Sequence, residues 1–280
     1  MNFSHTKLST WRRCRQRFHW QYINKYRSPV GLGLIRGGVG HKALAVWYET
    51  YDEKKAMQAA SDELYVHENH GDVDDPDKIW DLANIVLNRY FAWSKLNDRF
   101  TSVEVVEYEF NLPFRDTGHI LNGFIDGIVT QTDGTQWLFE HKFYSTATVN
   151  HLDLDPQVSV YLYAARQLGF NPRGVLYNVI RNAAGGIAET QPVLRIPVFR
   201  NTEGMEALEN ELEHQLQDMV EYMNSASKRT YRTPTKDCSW DCGYFNACLS
   251  INDIGSPDSI LRSMPKMEEK QIEQEKDAHE

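Results

Sequence analysis

The sequence has no long apolar run. Its longest uninterrupted ones, Ala43–Tyr48 and Val160–Ala165, have six residues each, far below the roughly 20 a membrane-spanning helix needs. No secretory hydrophobic segment is present, so a reducing, cytoplasmic setting is expected, with thiols rather than disulfides. Cysteine is scarce, four in 280 residues, and a chain of this length builds its core without cross-links. There are no internal repeats. No Gly-x-x-x-x-Gly-Lys-Ser/Thr motif occurs, which excludes a nucleotide-driven motor of that type within the sequence.

Acids are missing from the first 48 residues, which hold nine basic side chains: Lys7, Arg12, Arg13, Arg15, Arg17, Lys25, Arg27, Arg36 and Lys42. The remaining residues carry 21 basic and 39 acidic side chains, so the net charge of −9 averages a basic arm and an acidic body. Net acidity argues against a nucleic-acid partner, whereas the asymmetry points to a polyanion bound by the arm. An acid-free, Arg-containing start also fits an organellar transit peptide.

Helical periodicity is expected at about 5–26, where Leu8, Trp11, Phe18 and Tyr22 share a face, and again at 53–68 and 77–97. Gly31, Gly33, Gly37, Gly38 and Gly40 read as a loop, with a helix starting near His41. Three alternating stretches, 103–112, 119–130 and 136–143, predict a meander closed by a hairpin at Asp133-Gly134. A helix at 154–168, strands at 174–181 and 191–199, and a helix at 203–224 follow. That order gives the α/β class, a mixed sheet flanked by helices. Residues 238–248 read as a loop and 257–263 as a small helix, while the charged stretch 264–280 reads as a disordered tail.

Glu140 and Lys142 lie two apart on a strand and so share a face, with His141 opposite. The hairpin brings Asp126 to them. By spacing alone the trio reads first as a solvent-facing strand edge with a Lys–Glu pair. Its second reading is a site for Mg²⁺ or Mn²⁺ with a lysine beside it. Cys238, Cys242 and Cys248 cluster within eleven residues, and Cys14 is the fourth thiol. Four thiolates accept either zinc or an iron–sulfur cluster.

Taken together, Gly-x-x-His ending at His41, Asp126, Glu140-His-Lys142 and Gln157-x-x-x-Tyr161 resemble the PD-(D/E)XK nuclease superfamily. Within it they resemble the RecB-like exonucleases of phages, recombination complexes and CRISPR systems. Ile125 stands where the superfamily name has Pro. The resemblance implies a restriction-endonuclease-like core with a helical N-terminal region and a cluster-binding C-terminal segment. It implies one nuclease domain over 1–255, with 1–30 and 230–255 forming an iron–sulfur staple around a core at 31–229. His41, Asp126, Glu140 and the His141 carbonyl would hold the metal, Lys142 would orient water, and Gln157 and Tyr161 would position the lysine, the water or the substrate strand. Cys14, Cys238, Cys242 and Cys248 would hold a [4Fe–4S] cluster. Anchoring Cys14 in this way argues against transit-peptide cleavage.

The implied activity is exonucleolytic hydrolysis of DNA, single-stranded or with free ends, in recombination, repair or phage DNA processing. The cell would be bacterial or phage-infected. Arg12, Arg13, Arg15, Arg17 and Trp20 are the expected DNA contacts, and a helicase, annealing protein or CRISPR-type partner would be separate. The competing reading is a non-catalytic iron–sulfur DNA-binding or adaptor subunit of such a complex.

Overall fold

Side-chain capping sets several helix starts in the computed structural model, which describes residues 1–144 and 149–267. Strand β1 (Asn2–Phe3) leads into α1 (His5–Arg13), where the Ser4 hydroxyl accepts the Lys7 N–H. Cys14 is extended (φ −160°) and interrupts the helix before α2 (Arg15–Phe18) and a π-helical turn at His19–Ile23. Helices α3 (Leu32–Thr50), α4 (Glu53–Asn69) and α5 (Pro76–Asn97) follow, with Asp52 and Asp75 capping the last two. Next come β2 (Phe100–Phe114), β3 (His119–Gln131), β4 (Gln136–Tyr144), α6 (Pro156–Gln167), β5 (Val175–Arg181), α7 (Ile187–Thr190) and β6 (Val193–Val198). The described chain ends with α8 (Thr202–Asn224), α9 (Cys238–Asp241), α10 (Phe245–Ile254) and α11 (Asp258–Ser263).

The chain divides into two compact units. One holds Leu32–Leu112 and Leu121–Leu208; the other holds Met1–Gly31, Pro113–Ile120 and, of the described residues, 209–267. In the larger unit, β3 pairs with β2 and β4, β4 runs parallel to β5, and β5 runs antiparallel to β6. This is the mixed α/β sheet with flanking helices that the element order implied. Its β3–β4 turn is the expected Asp133-Gly134 one, with Gly134 at φ +81° and Asp133 accepting the Thr135 N–H. Helix α6 is buried from Gln157 to Ala165, which explains its apolar run, and Asp155 caps it by accepting the Gln157 N–H at 2.9 Å.

In the smaller unit, β1 meets the start of β3 through Ile120 N–H to Met1 O, 3.0 Å. Trp20, Tyr244, Ala247 and Leu261 form its core at the cysteine-bearing end. Residues Lys25 and Arg27 exchange backbone bonds with Met267 and Pro265, so the expected tail is paired at its beginning. The rest of that tail, 268–280, lies outside the described residues.

Three expectations change. The helix expected over 5–26 is broken at Cys14. The glycine-rich stretch is helix rather than loop: α3 begins at Leu32, and His41 lies in its middle, not its first turn. Gly40 shows why glycine is tolerated there, since a β-carbon would sit 2.2 Å from the Phe143 ring. The cysteine segment 238–248 is not a loop but contains α9 and the start of α10. Among the described residues no helix is long and apolar enough to cross a membrane.

Gly40→Ala tests the contact between α3 and β4. Alanine improves helix propensity by about 1 kcal/mol, but forcing the ring aside costs about 1–3 kcal/mol. A net loss of thermal stability is therefore expected. The same substitution should cost less, or even stabilise, in a Phe143→Ala background. Equal effects in both backgrounds would show that the ring yields freely.

Candidate metal centre and cysteine site

The β3–β4 ladder runs from Thr130↔Gln136 to Gly127↔Phe139. One residue further it stops, because Asp126 Oδ2 accepts the His141 backbone N–H at 2.7 Å. The strands part here while β4 stays paired with β5 as far as Tyr144↔Arg181. The parting leaves Asp126 Oδ1 facing His41 Nδ1 at 3.4 Å, and Glu107 Oε1 lies 4.0 Å from the same nitrogen.

Among the described residues, His41, Glu107 and Asp126 bring three candidate ligand atoms within 4.8 Å of one another. Burial alone would lower the His41 pKa, but the Asp126 carboxylate, aided by Glu107, overcomes it and raises the pKa above the ordinary value. Burial acts on Asp126 in the opposite sense to its neighbours, and His41 with the His141 N–H holds it down, at about 2. The two carboxylates thus favour a positive charge at this point, which a divalent ion would also supply. One imidazole and two carboxylates are a suitable donor set for Mg²⁺ or Mn²⁺.

Glu107 was not singled out in the sequence. It sits within β2 at φ +46°, a left-handed conformation rare for a side-chain-bearing residue. Nothing in local spacing distinguishes it from Glu104 or Glu109. Its role emerges only when α3 and β3 are brought beside β2.

The other motif residues form a connected, buried chain. Lys142 Nζ lies 3.2 Å from Glu140 Oε1, with side-chain exposures of 2% and 4%. Lys142 Nζ donates to Gln157 Oε1 at 2.6 Å, and Gln157 Nε2 donates to the Tyr161 hydroxyl at 3.0 Å. A solvent-facing strand edge is therefore excluded. Asp155, also missed in the sequence, caps α6 and accepts the Tyr177 hydroxyl at 2.9 Å, fixing the helix that carries Gln157. Lys142 Nζ is 6.0 Å from the Tyr177 ring.

The His141 ring points away from Glu140 and Lys142, as the strand period requires. It stacks on Tyr48 at 5.7 Å and contacts Asn178 Nδ2 at 3.0 Å. Burial pushes its pKa down to about 3. The imidazole is thus a neutral structural element behind the site.

The basic arm is more tied down than expected. Arg12 donates to Gln215, Arg13 pairs with Asp241, and Arg15 pairs with Asp218 at 3.2 Å while lying 3.4 Å from the Trp11 ring centre. Arg17 is buried, and Trp20 is 4% exposed against Tyr244. Those two residues are corrected from DNA contacts to interior ones: Trp20 packs in the core of this unit, and Arg17 lines the cavity that holds the cysteines. Arg36 and Lys42 of the arm belong to the other unit, on α3.

The four cysteines, by contrast, do come together. All are half-buried and line one cavity of about 180 Å³, with Arg13, Arg232 and Tyr244 among its walls. The interruption between α1 and α2 places Cys14 there, and α9 and α10 bring the other three. Burial pushes the Cys248 thiol up to about 11, with Cys242 and Cys14 adding to the shift; burial also raises Cys242. Thiols that oppose one another's ionisation in this way can share a site as thiolates only around compensating positive charge. Thr235 N–H donates to Cys238 Sγ at 3.3 Å.

The sequence profile of the PD-(D/E)XK nuclease superfamily matches residues 2–249. Among solved structures, a protein named SSO0001 is similar, with a TM-score of 0.37 and 11% identity over 87% of this chain and 83% of that one. Among curated proteins none matches.

Proposed function

Because the chain belongs to the PD-(D/E)XK nuclease superfamily, we propose that it is a divalent-metal-dependent DNA exonuclease of the RecB-like kind, acting on single-stranded ends. The observation that carries this reading is the buried chain Glu140–Lys142–Gln157–Tyr161 beside the converging His41, Glu107 and Asp126. Burying an ammonium and a carboxylate costs several kcal/mol per ion before pairing, a cost that a purely structural strand would avoid with apolar residues.

His41, Glu107 and Asp126 would hold Mg²⁺ or Mn²⁺, with Glu140 and the His141 carbonyl as the further ligands the resemblance implies. The ion, when bound, supplies a more acidic water and positive charge for the phosphate. Lys142 is denied free rotation by Gln157 and Glu140, so its ammonium meets the attacking water or the phosphate without prior reorganisation. Tyr161 holds the Gln157 amide in the orientation that accepts from Lys142. Arg12, Arg13 and Arg15 remain candidates for phosphate contacts at the surface.

The four thiols are assigned to a [4Fe–4S] cluster rather than zinc. Four sulfurs around one zinc, with Zn–S near 2.3 Å, would lie about 3.8 Å apart. Among the described residues no three thiols have their sulfurs within 4.8 Å of one another. A four-iron cluster binds one thiolate per iron and spreads the sulfurs more widely. Action in recombination, repair or phage DNA processing, inside a bacterial or infected cell and beside a separate helicase, annealing or CRISPR-type partner, completes the reading.

The test is degradation of end-labelled linear and circular single strands with Mn²⁺, Mg²⁺ or EDTA. Loss of the linear strand from one labelled end, with circles spared and EDTA blocking the reaction, is expected. No cleavage of any DNA with either metal would overturn the proposal in favour of a non-catalytic adaptor.

A further inference from the structure

Trp240 is the one exposed tryptophan of the seven, at 73%; Trp11, Trp20, Trp47 and Trp137 are buried, and Trp80 and Trp93 are half-buried. It stands on α9 between Cys238 and Cys242. The chain leading to it, from Ser225 to Lys236, holds Lys228, Arg229, Arg232 and Lys236 and no acid. From Arg229 to Thr233 exposure alternates: Arg229, Tyr231 and Thr233 face outward, Thr230 and Arg232 lie half-buried.

Four bonds pin this segment from below. Tyr231 O accepts the Gln16 N–H at 3.0 Å, Arg232 donates to Cys248 O and Asn252 Oδ1, and Thr235 N–H donates to Cys238 Sγ. These bonds hold the backbone that carries the outward Arg229, Tyr231 (64% exposed) and Lys236, and α9 carries Trp240. Two acids flank Trp240 in the sequence, and Asp241 is neutralised by Arg13; Asp237 is the other.

We infer that Arg229, Tyr231, Lys236 and Trp240 form a strip that binds single-stranded DNA, with Trp240 and Tyr231 stacking on unpaired bases and the two cations tracking the phosphates. Aromatic faces accept any base, and cations at intervals between them follow a flexible backbone, so the strip suits a single strand of any sequence. Trp20 cannot do this, being buried; Trp240 takes the role expected of it. The inference rests on the nucleic-acid reading above and names where the strand lies on the smaller unit.

The test uses the full-length protein in EDTA, where turnover cannot occur, and an oligo-dT strand. Binding should quench tryptophan fluorescence in the wild type, and Trp240→Phe should remove most of the quench. By fluorescence anisotropy, Trp240→Ala and Tyr231→Ala should each weaken binding by about tenfold. Arg229→Ala with Lys236→Ala should lower the slope of log affinity against log salt by about 1.4. Iron content and melting temperature serve as folding controls, since all four side chains are exposed. Unchanged affinity in Trp240→Ala, or an equal loss on blunt duplex, would overturn the inference. Binding that survives while cleavage fails would instead count against the catalytic reading alone.

Discussion

Lys142→Met should lower the initial rate of Mn²⁺-dependent strand cleavage by about a hundred- to a thousandfold, and Glu140→Ala should do the same. The ammonium is 2% exposed and is held between Glu140 Oε1 and Gln157 Oε1. Methionine keeps the packed stem but leaves the Glu140 carboxylate facing a neutral thioether. A buried charge stripped of its partner costs about 3–5 kcal/mol, so loss of activity could be confused with loss of fold. The double variant Glu140→Gln with Lys142→Met separates the two. Removing both charges from a buried pair is near neutral for stability, so this protein should melt close to the wild type while remaining inactive. Undiminished cleavage in both single variants would remove these residues from the site.

Cys14→Ser should release the iron and destabilise the protein by about 5 kcal/mol, the loop-closure estimate for a cross-link joining residues as distant as 14 and 238. For a chain of this size that corresponds to a melting temperature lower by about 8 °C. The wild type should be brown and contain iron; the variant should be colourless. Serine is nearly isosteric with cysteine, so little of the effect can come from packing. Full iron retention in the variant would exclude Cys14 as a ligand, and a colourless wild type with one zinc would replace the cluster. Because Cys14 occupies the single extended position between α1 and α2, loss of the cluster should also let that junction relax, visible as faster amide exchange over Arg13–Phe18.

The meander and α6 could be read from local pattern because each is amphipathic or wholly apolar over its own length, and Asp133-Gly134 marks the turn between β3 and β4. The ordered motif residues were readable for the same reason: Glu140 and Lys142 are two apart on a strand, and Gln157 and Tyr161 four apart on a helix. Glu107 was not readable, since its membership depends on a left-handed backbone turn inside β2 and on helix α3 far away in sequence. The start of α3 was hidden by glycines that normally signal loops, one of which is needed for the approach to Phe143. Trp20 and Arg17 looked like surface residues in a basic segment, and only the packing of Tyr244 and Leu261 places Trp20 inside. Trp240, in the segment that read as a loop, is the exposed tryptophan.

The parting of β3 and β4 dictates which acid can stand at position 126. One oxygen of Asp126 replaces the missing ladder bond to His141, and the other faces His41. Both distances are met by a side chain with a single methylene between backbone and carboxylate. Glutamate would overshoot the amide and leave a sheet N–H without its acceptor. The preference for the shorter acid therefore comes from the sheet's own need for hydrogen-bond closure, independent of the ion, and it would persist in a descendant that had lost catalysis altogether.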